Sequence, residues 1–235
     1  MELFYSPTIE NERIYFDREE SHHCSKVMRH QAGDELMVTD GRGKLYRAKI
    51  LNEDWKAVVL EIQETVKEEA AHDPQIHIAI APTKNIDRFE WFIEKATEIG
   101  VDQITPIHCQ RSVRNKIKLE RLQKLLISAM KQSLRLWLPV LNDLVTFDEL
   151  LLGKSFTEAR KFLCHCQSPD LPLLKNLYSE KNNAGIIIGP EGDFTIEEIN
   201  LAEAKGFTSV SLGNARLRTE TAGMVAIHTI QLINQ

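Results

Sequence analysis

Three β-branched residues, Ile186-Ile187-Ile188, run straight into Gly189-Pro190-Glu191-Gly192. An unbroken apolar run of this kind suits a strand covered on both faces, the setting of a parallel sheet. The glycines and the proline then end it. Without a Cβ, the backbone can turn tightly or come close to a ligand. Thr195 and Glu198 follow at the spacing of a capping box, with Phe194 and Ile199 placed as a hydrophobic staple. The stretch reads strand, glycine loop, capped helix. A second short strand at 210–212 meets Gly213 and another irregular loop before Thr219-Glu220-Thr221 open a final helix. Two glycine loops at the carboxyl ends of two strands make a crevice, the usual ligand position in an open α/β sheet.

The rest of the chain is read around that pair. Strand and helix patterns alternate through a strand at 76–81, a helix at 87–99 ended by Gly100, a strand at 103–109 and a long helix at 119–136. A short helix opened by Thr146 and Glu149, a strand at 161–166 and a helix at 171–177 complete the series. Alternation of this kind predicts an α/β fold with a largely parallel sheet. Residues 1–70 differ. Strand-like runs at 13–16, 35–39, 45–50 and 57–62 are separated by Gly33-Asp34 and by Asp40-Gly41-Arg42-Gly43, with one helical piece at 21–29. Short strands with close turns predict a small β-barrel. Thr65 to Pro74 is polar and charged and ends in proline, so it reads as a linker. The expected division is 1–70 and 71–235.

No apolar run approaches the ~20 residues that span a bilayer, and the N-terminus lacks a basic-then-apolar signal. A cytoplasmic protein with no membrane partner is expected. Cys24, Cys109, Cys164 and Cys166 lack zinc-type spacing. In a strand, His165 would point away from the thiols on either side of it. No metal is expected, and the thiols should be reduced. Net charge is −5, which does not favour a nucleic-acid partner, but distribution matters more than the sum. Between Arg111 and Arg135 eight basic residues face one acid, Glu120. The run is either a solvated helix face or an RNA contact through Arg111, Arg114 and Arg135. Arg13, Lys26 and Arg29 give the strand-rich part positive charge of its own.

Alone, Gly189-Pro190-Glu191-Gly192 is a weak signal. It has neither the spacing of a dinucleotide fingerprint nor the Gly-Lys-Ser/Thr of a phosphate loop. In combination the motifs are specific. Gly189-Pro190-Glu191-Gly192-Asp193-Phe194-Thr195 followed by Leu212-Gly213-Asn214-Ala215-Arg216-Leu217-Arg218-Thr219-Glu220-Thr221-Ala222 resembles the RsmE family, the 16S rRNA (uracil-N3)-methyltransferases of the SPOUT superfamily. His22-His23 through Val27-Met28-Arg29, Glu94 through Val101, and the block from Ala129 to Pro139 match other parts of that family, so the resemblance is close to full length.

The resemblance implies an N-terminal PUA-like β-barrel that helps hold RNA, and a SPOUT-type α/β domain with a C-terminal trefoil knot that dimerises. It implies S-adenosylmethionine (SAM) as methyl donor. The implied donor-binding residues are His165, Cys166, Gly189, Pro190, Glu191, Gly192, Leu212, Gly213, Asn214, Leu217 and Arg218. The implied partner is 16S rRNA or the small ribosomal subunit. Three positions depart from the family pattern: Ala215 where arginine is usual, Arg216 where an aliphatic residue is usual, and Leu134 where glycine is common.

The chemistry needs a cation beside the uracil oxygens as N3 loses its proton. Arg218 is the first candidate and Arg216 the second. Glu220 is either a general base or a carboxylate favoured at a helix N-terminus. Glu191 reads as structural, a side chain at Gly189 is expected to fill the donor crevice, and Arg111 and Arg135 read as phosphate contacts. Two rival readings keep most of these features: 2′-O-ribose methylation on the same fold, and a non-catalytic RNA-binding assembly factor.

Overall fold

The computed structural model describes residues 2–52, 54–153, 156–168 and 170–235, which fall into two compact units. The first comprises residues up to Ala71 together with Ile127–Leu138. Its strands are β1 (Leu3–Tyr5), β2 (Ile9–Glu10), β3 (Arg13–Tyr15), β4 (Glu35–Thr39), β5 (Lys44–Ile50) and β6 (Val59–Glu68), paired in the order β1-β4-β5-β6-β3-β2. The β1–β4 pair is parallel and the other ladders are antiparallel. The ladders follow an open path. Beyond them, the end of β1 meets β3 where the Ser6 hydroxyl donates to the Tyr15 carbonyl. Helix α1 (Arg18–His22) is capped by Asp17 and runs on into a π-helical turn at His23–Val27. Phe4, Ile14, Phe16, Cys24, Val38, Ala48 and Leu60 fill the core.

Strand β6 corrects the linker reading. It continues through Glu68, where Thr65, Lys67 and Glu68 pair with Tyr46, Leu45 and Lys44. The charges that looked like linker composition sit on an exposed strand face and match across it, Arg47 to Glu64 at 3.0 Å and Lys44 to Glu68 at 3.4 Å. Opposite charges directly across a ladder favour pairing. Segment 127–138 is held to this unit by Leu136, which packs on Leu3 and Leu45. Lys131 Nζ also donates to both Glu20 oxygens at 2.7 and 2.8 Å.

The second unit contains β7 (Ile76–Ile80), α2 (Ile86–Ile99), β8 (Gln103–His108), the start of α3 (Leu119–Gln132), β9 (Val140–Leu141), β10 (Val145–Thr146) and α4 (Phe147–Leu152). It continues with β11 (Arg160–Cys164), α5 (Leu174–Leu177), β12 (Ala184–Ile188), α6 (Ile196–Ala204), β13 (Thr208–Val210) and α7 (Thr219–Ile233). The sheet order is β10-β8-β7-β12-β11-β13, with β9 also on β8, and every ladder is parallel. Every residue of β7 and β12 is buried, as the isoleucine run requires. Helix α2 starts at Asn85, whose side chain accepts from Asp87 N, and stops at Gly100 with φ +111°. Helix α7 packs on α2 through Gly223, where an added Cβ would lie 2.6 Å from the Phe92 ring.

Helix α3 ends at Gln132 rather than running to Leu136. The cause is Leu134, which has a left-handed backbone at φ +56°. That is the position where the resembled family commonly carries glycine, the residue that adopts this conformation without steric cost.

Candidate functional site

Strands β12, β11 and β13 lie side by side in the sheet, so the loops leaving their carboxyl ends converge. They enclose a cavity of about 340 Å³. Cys164, His165 and Cys166 contribute from β11, Ile188 to Glu191 and Asp193 from β12, and Val210 to Gly213 with Ala215 to Thr219 from β13. The strand expected to reach Cys166 stops at Cys164, which frees His165 and Cys166 to line this cavity.

Specific hydrogen bonds hold the loops together. The Thr219 hydroxyl donates to the Gly189 carbonyl at 3.1 Å, so the two glycine loops are joined directly. Asp193 sits at φ +60° and its Oδ2 accepts from Cys166 N at 3.0 Å, tying the β11 loop to the β12 loop. Glu191 Oε1 accepts from Lys84 N at 2.8 Å, the structural role read from its position. The capping box at α6 is present, and Glu198 Oε1 also accepts from Gln110 N at 2.8 Å.

Of the donor-binding residues read from the sequence, His165, Cys166, Gly189, Pro190, Glu191, Leu212, Gly213, Leu217 and Arg218 line the cavity. Gly192 and Asn214 do not form part of its wall. An added Cβ at Gly192 would lie 3.1 Å from Arg111 Cβ, so this glycine serves the packing of two loops. Gly189 also acts differently from expectation. An added Cβ there would meet the Phe194 ring at 2.8 Å, inside the core, and would not enter the crevice. Val210, Ser211, Asp193, Thr219 and Ala222 line the wall without having been singled out. Asp193 and Thr219 lie inside the quoted motifs, and only their side-chain partners reveal their part.

Burial lowers the pKa of His165, which keeps the ring neutral near pH 7. Its Nδ1 accepts from Gln167 N at 3.2 Å, which assigns the ring proton to Nε2. That Nε2 is buried with no hydrogen-bond partner among the described residues. Burial raises the Cys166 thiol, with the Arg216 guanidinium opposing the shift.

A second, more open cleft of about 620 Å³ shares Arg216, Leu217 and Arg218 with the first. Its other walls are Asp87, Arg88 and Trp91 from α2, and Glu220 and Thr221 from the start of α7. The three residues proposed from sequence for chemistry, Arg216, Arg218 and Glu220, therefore meet here. Glu220 is 6% exposed, with Oε1 at 3.9 Å from Arg88 Nε and Oε2 without a partner among the described residues.

The basic residues divide between the units. Arg13, Lys26, Arg29 and Arg135 belong to the first and Arg111 and Arg114 to the second. Arg111 donates to the Gly192 and Phe194 carbonyls at 3.0 and 3.2 Å, and Arg114 to the Thr83 and Lys84 carbonyls at 3.1 and 2.9 Å. Both guanidinium groups therefore support the loops of the site. Among the described residues no cluster of metal-ligating side chains occurs, and no helix is long and apolar enough to cross a membrane.

Comparison with known proteins agrees with this arrangement. Residues 71–231 match the model of the RNA methyltransferase domain family, and residues 16–63 match the RNA methyltransferase PUA domain. The chain is 35% identical over 217 residues to the ribosomal RNA small subunit methyltransferase E of Synechocystis, covering 90% of this chain and 70% of the relative. A crystal structure of a probable rRNA methyltransferase from Porphyromonas gingivalis is similar over 100% of this chain and 98% of its own, with a TM-score of 0.90 and 38% identity. The structure of a ribosomal RNA small subunit methyltransferase E from Neisseria gonorrhoeae, solved with bound S-adenosylmethionine, is similar over 100% of this chain and 98% of its own, with a TM-score of 0.85 and 26% identity. The family match over most of the chain, with a relative 35% identical over 90% of it, establishes that this chain belongs to the ribosomal RNA small subunit methyltransferase E family.

Proposed function

We propose that this chain transfers a methyl group from SAM to N3 of a uridine in the small-subunit ribosomal RNA. The observation that carries the reading is the join between two spaces: the three-loop cavity and the cleft holding Arg88 and Glu220 share Arg216, Leu217 and Arg218. The cavity suits the donor. Its volume of about 340 Å³ lies within the range of small-molecule sites. Ile188, Val210, Leu212 and Leu217 offer apolar faces for an adenine. When bound, SAM supplies a methyl group on a positively charged sulfur, which departs with the bonding electrons.

The chain's own residues do the rest. Arg218, with Arg216 beside it, would set cationic donors against the uracil oxygens, which gain charge as N3 gives up its proton. Glu220, whose side chain lines the cleft beside Arg88, is the acceptor for that proton. The start of α7 adds the positive end of a helix dipole beside the same cleft. The bonds from the Thr219 hydroxyl to the Gly189 carbonyl and from Cys166 N to Asp193 Oδ2 would hold the donor-site loops in place for the transfer, and such positioning can supply much of the rate.

The reading includes three further parts. The strand-rich residues 1–70 hold RNA through Arg13, Lys26 and Arg29, with Arg135 as a further phosphate contact, while residues 71–235 carry the transfer. The C-terminal segment forms a trefoil knot, supported by the bond from Thr219 to the Gly189 loop and by the return of α7 onto α2, β7 and β12. The active protein is a homodimer, as the resemblance implies.

Incubation with labelled SAM and unmodified small-subunit RNA is expected to place label on uridine, and nucleoside mass spectrometry to find it on the base. Label on the ribose would favour 2′-O-methylation. Absence of donor binding by calorimetry would favour a non-catalytic RNA-binding protein.

A further inference from the structure

The cleft beside the donor cavity contains a side chain for which the methyl transfer gives no reason. Trp91 lies on α2 off the buried stripe of Phe89, Phe92 and Ile93, and is 42% exposed. It lines the cleft with Arg88, Arg216, Arg218 and Glu220. Arg88 and Trp91 stand three residues apart and share one helix face.

Packing fixes what they face. Gly223 admits the Phe92 ring close to the α7 backbone, which brings the first turn of α7 against α2. Glu220 then lies beside Arg88, which approaches Oε1 at 3.9 Å, while Oε2 stays buried and unpartnered among the described residues. The cleft thus offers an aromatic surface and guanidinium donors, with the Glu220 carboxylate in its wall.

Uracil presents two carbonyl oxygens with an N–H between them. Cytosine presents a lone pair where that N–H would be. Arginine donors around a carboxylate match the first edge, and the carboxylate repels the second. A site built around a buried hydrogen-bonding group rejects an analogue that leaves it unpaired by about 10⁴-fold or more. A base methylated on its pairing edge must also leave its stack, and an aromatic face inside the enzyme replaces part of the stacking it loses.

We propose that this cleft seats the acceptor base, with Trp91 as the stacking platform and Arg88 and Glu220 in the wall beside it. The inference rests on the methyl-transfer reading above. The test is steady-state transfer of labelled methyl from SAM to unmodified small-subunit RNA by wild type, Trp91→Ala and Trp91→Phe. SAM affinity is followed by calorimetry and mass by light scattering.

Trp91→Ala is expected to raise the KM for RNA about ten-fold, the effect of losing one base–aromatic stack. SAM affinity and mass should be unchanged, and Trp91→Phe should recover most of the loss. An unchanged KM, a loss of SAM affinity, an altered mass, or a phenylalanine variant as impaired as the alanine one would each overturn the platform. A wild-type protein that binds SAM but labels no uridine would remove the methyl-transfer reading itself, and this inference with it.

Discussion

Gly189 shows how a single absent side chain shapes the site. Its carbonyl accepts from the Thr219 hydroxyl, and on its other side the Phe194 ring fills the space a Cβ would need. Phe194 is fully buried against Phe147, so the ring has nowhere to retreat. Gly189→Ala is therefore expected to cost about 1–3 kcal/mol of stability as an overpacked core position. Urea denaturation measures it, and SAM affinity should fall only as the loop is displaced. His165 adds a pH dependence. Burial lowers its pKa, so below about 6.5, the ordinary histidine value, the unfolded chain binds a proton more readily than the folded one. The stability from a neutral ring is fully present above that pH and declines as pH falls toward the folded value. The urea midpoint of wild type is expected to drop more between pH 7 and pH 5 than that of His165→Gln. Equal drops would show that the ring protonates freely in the folded protein.

At the scale of elements, local signals were legible and distant ones were not. The capping boxes at Thr146–Glu149 and Thr195–Glu198 form as their spacing indicates, and Gly100 ends α2, because each depends on atoms within one helical turn. The continuation of β6 to Glu68 was hidden, because a charged strand resembles a linker until its partner's charges are known. The end of α3 was hidden for the opposite reason, since leucine gives no sign of a left-handed residue. That last case can be tested. A left-handed non-glycine residue costs roughly 1–2 kcal/mol, while the flexibility glycine adds to the unfolded chain costs about 0.5–1 kcal/mol. Leu134 is 45% exposed, so little burial is lost on its removal. Leu134→Gly is expected to raise the thermal midpoint by about 1–3 °C, given ~2–4 °C per kcal/mol for a chain of this size. Leu134→Ile, β-branched at the same backbone angle, should lower it. Calorimetry of the pair decides, and the reverse order would mean that the leucine side chain contributes packing that outweighs its backbone cost.

For the whole molecule, net charge said little about the partner and the placement of charge said more. The basic run from Arg111 to Arg135 looked uniform in the sequence, but its members have different tasks. Arg121 is held by Glu90 at 2.6 Å, and Lys131 by Glu20. Arg111 and Arg114 brace the site loops through backbone carbonyls. Segment 127–138 groups with the strand-rich unit through Leu136, a contact with Leu3 and Leu45 that no local pattern encodes. The salt dependence of RNA binding can separate these tasks. Each phosphate contact contributes about 0.7–0.9 to the slope of log affinity against log salt. Arg29→Ala, in the strand-rich unit, is expected to reduce that slope by about one contact and leave SAM affinity unchanged. Arg121→Ala should leave the slope where it was, because Glu90 already neutralises that charge. Arg111→Ala should weaken SAM binding, because the Gly192 and Phe194 carbonyls lose their donor and the loop beside the cavity loosens. Anisotropy titrations of labelled small-subunit RNA across potassium chloride concentrations, with calorimetry for SAM, resolve the three. If Arg121→Ala lowered the slope as much as Arg29→Ala, the basic run would be one continuous RNA face, and the ion pairs within it would have no influence on binding.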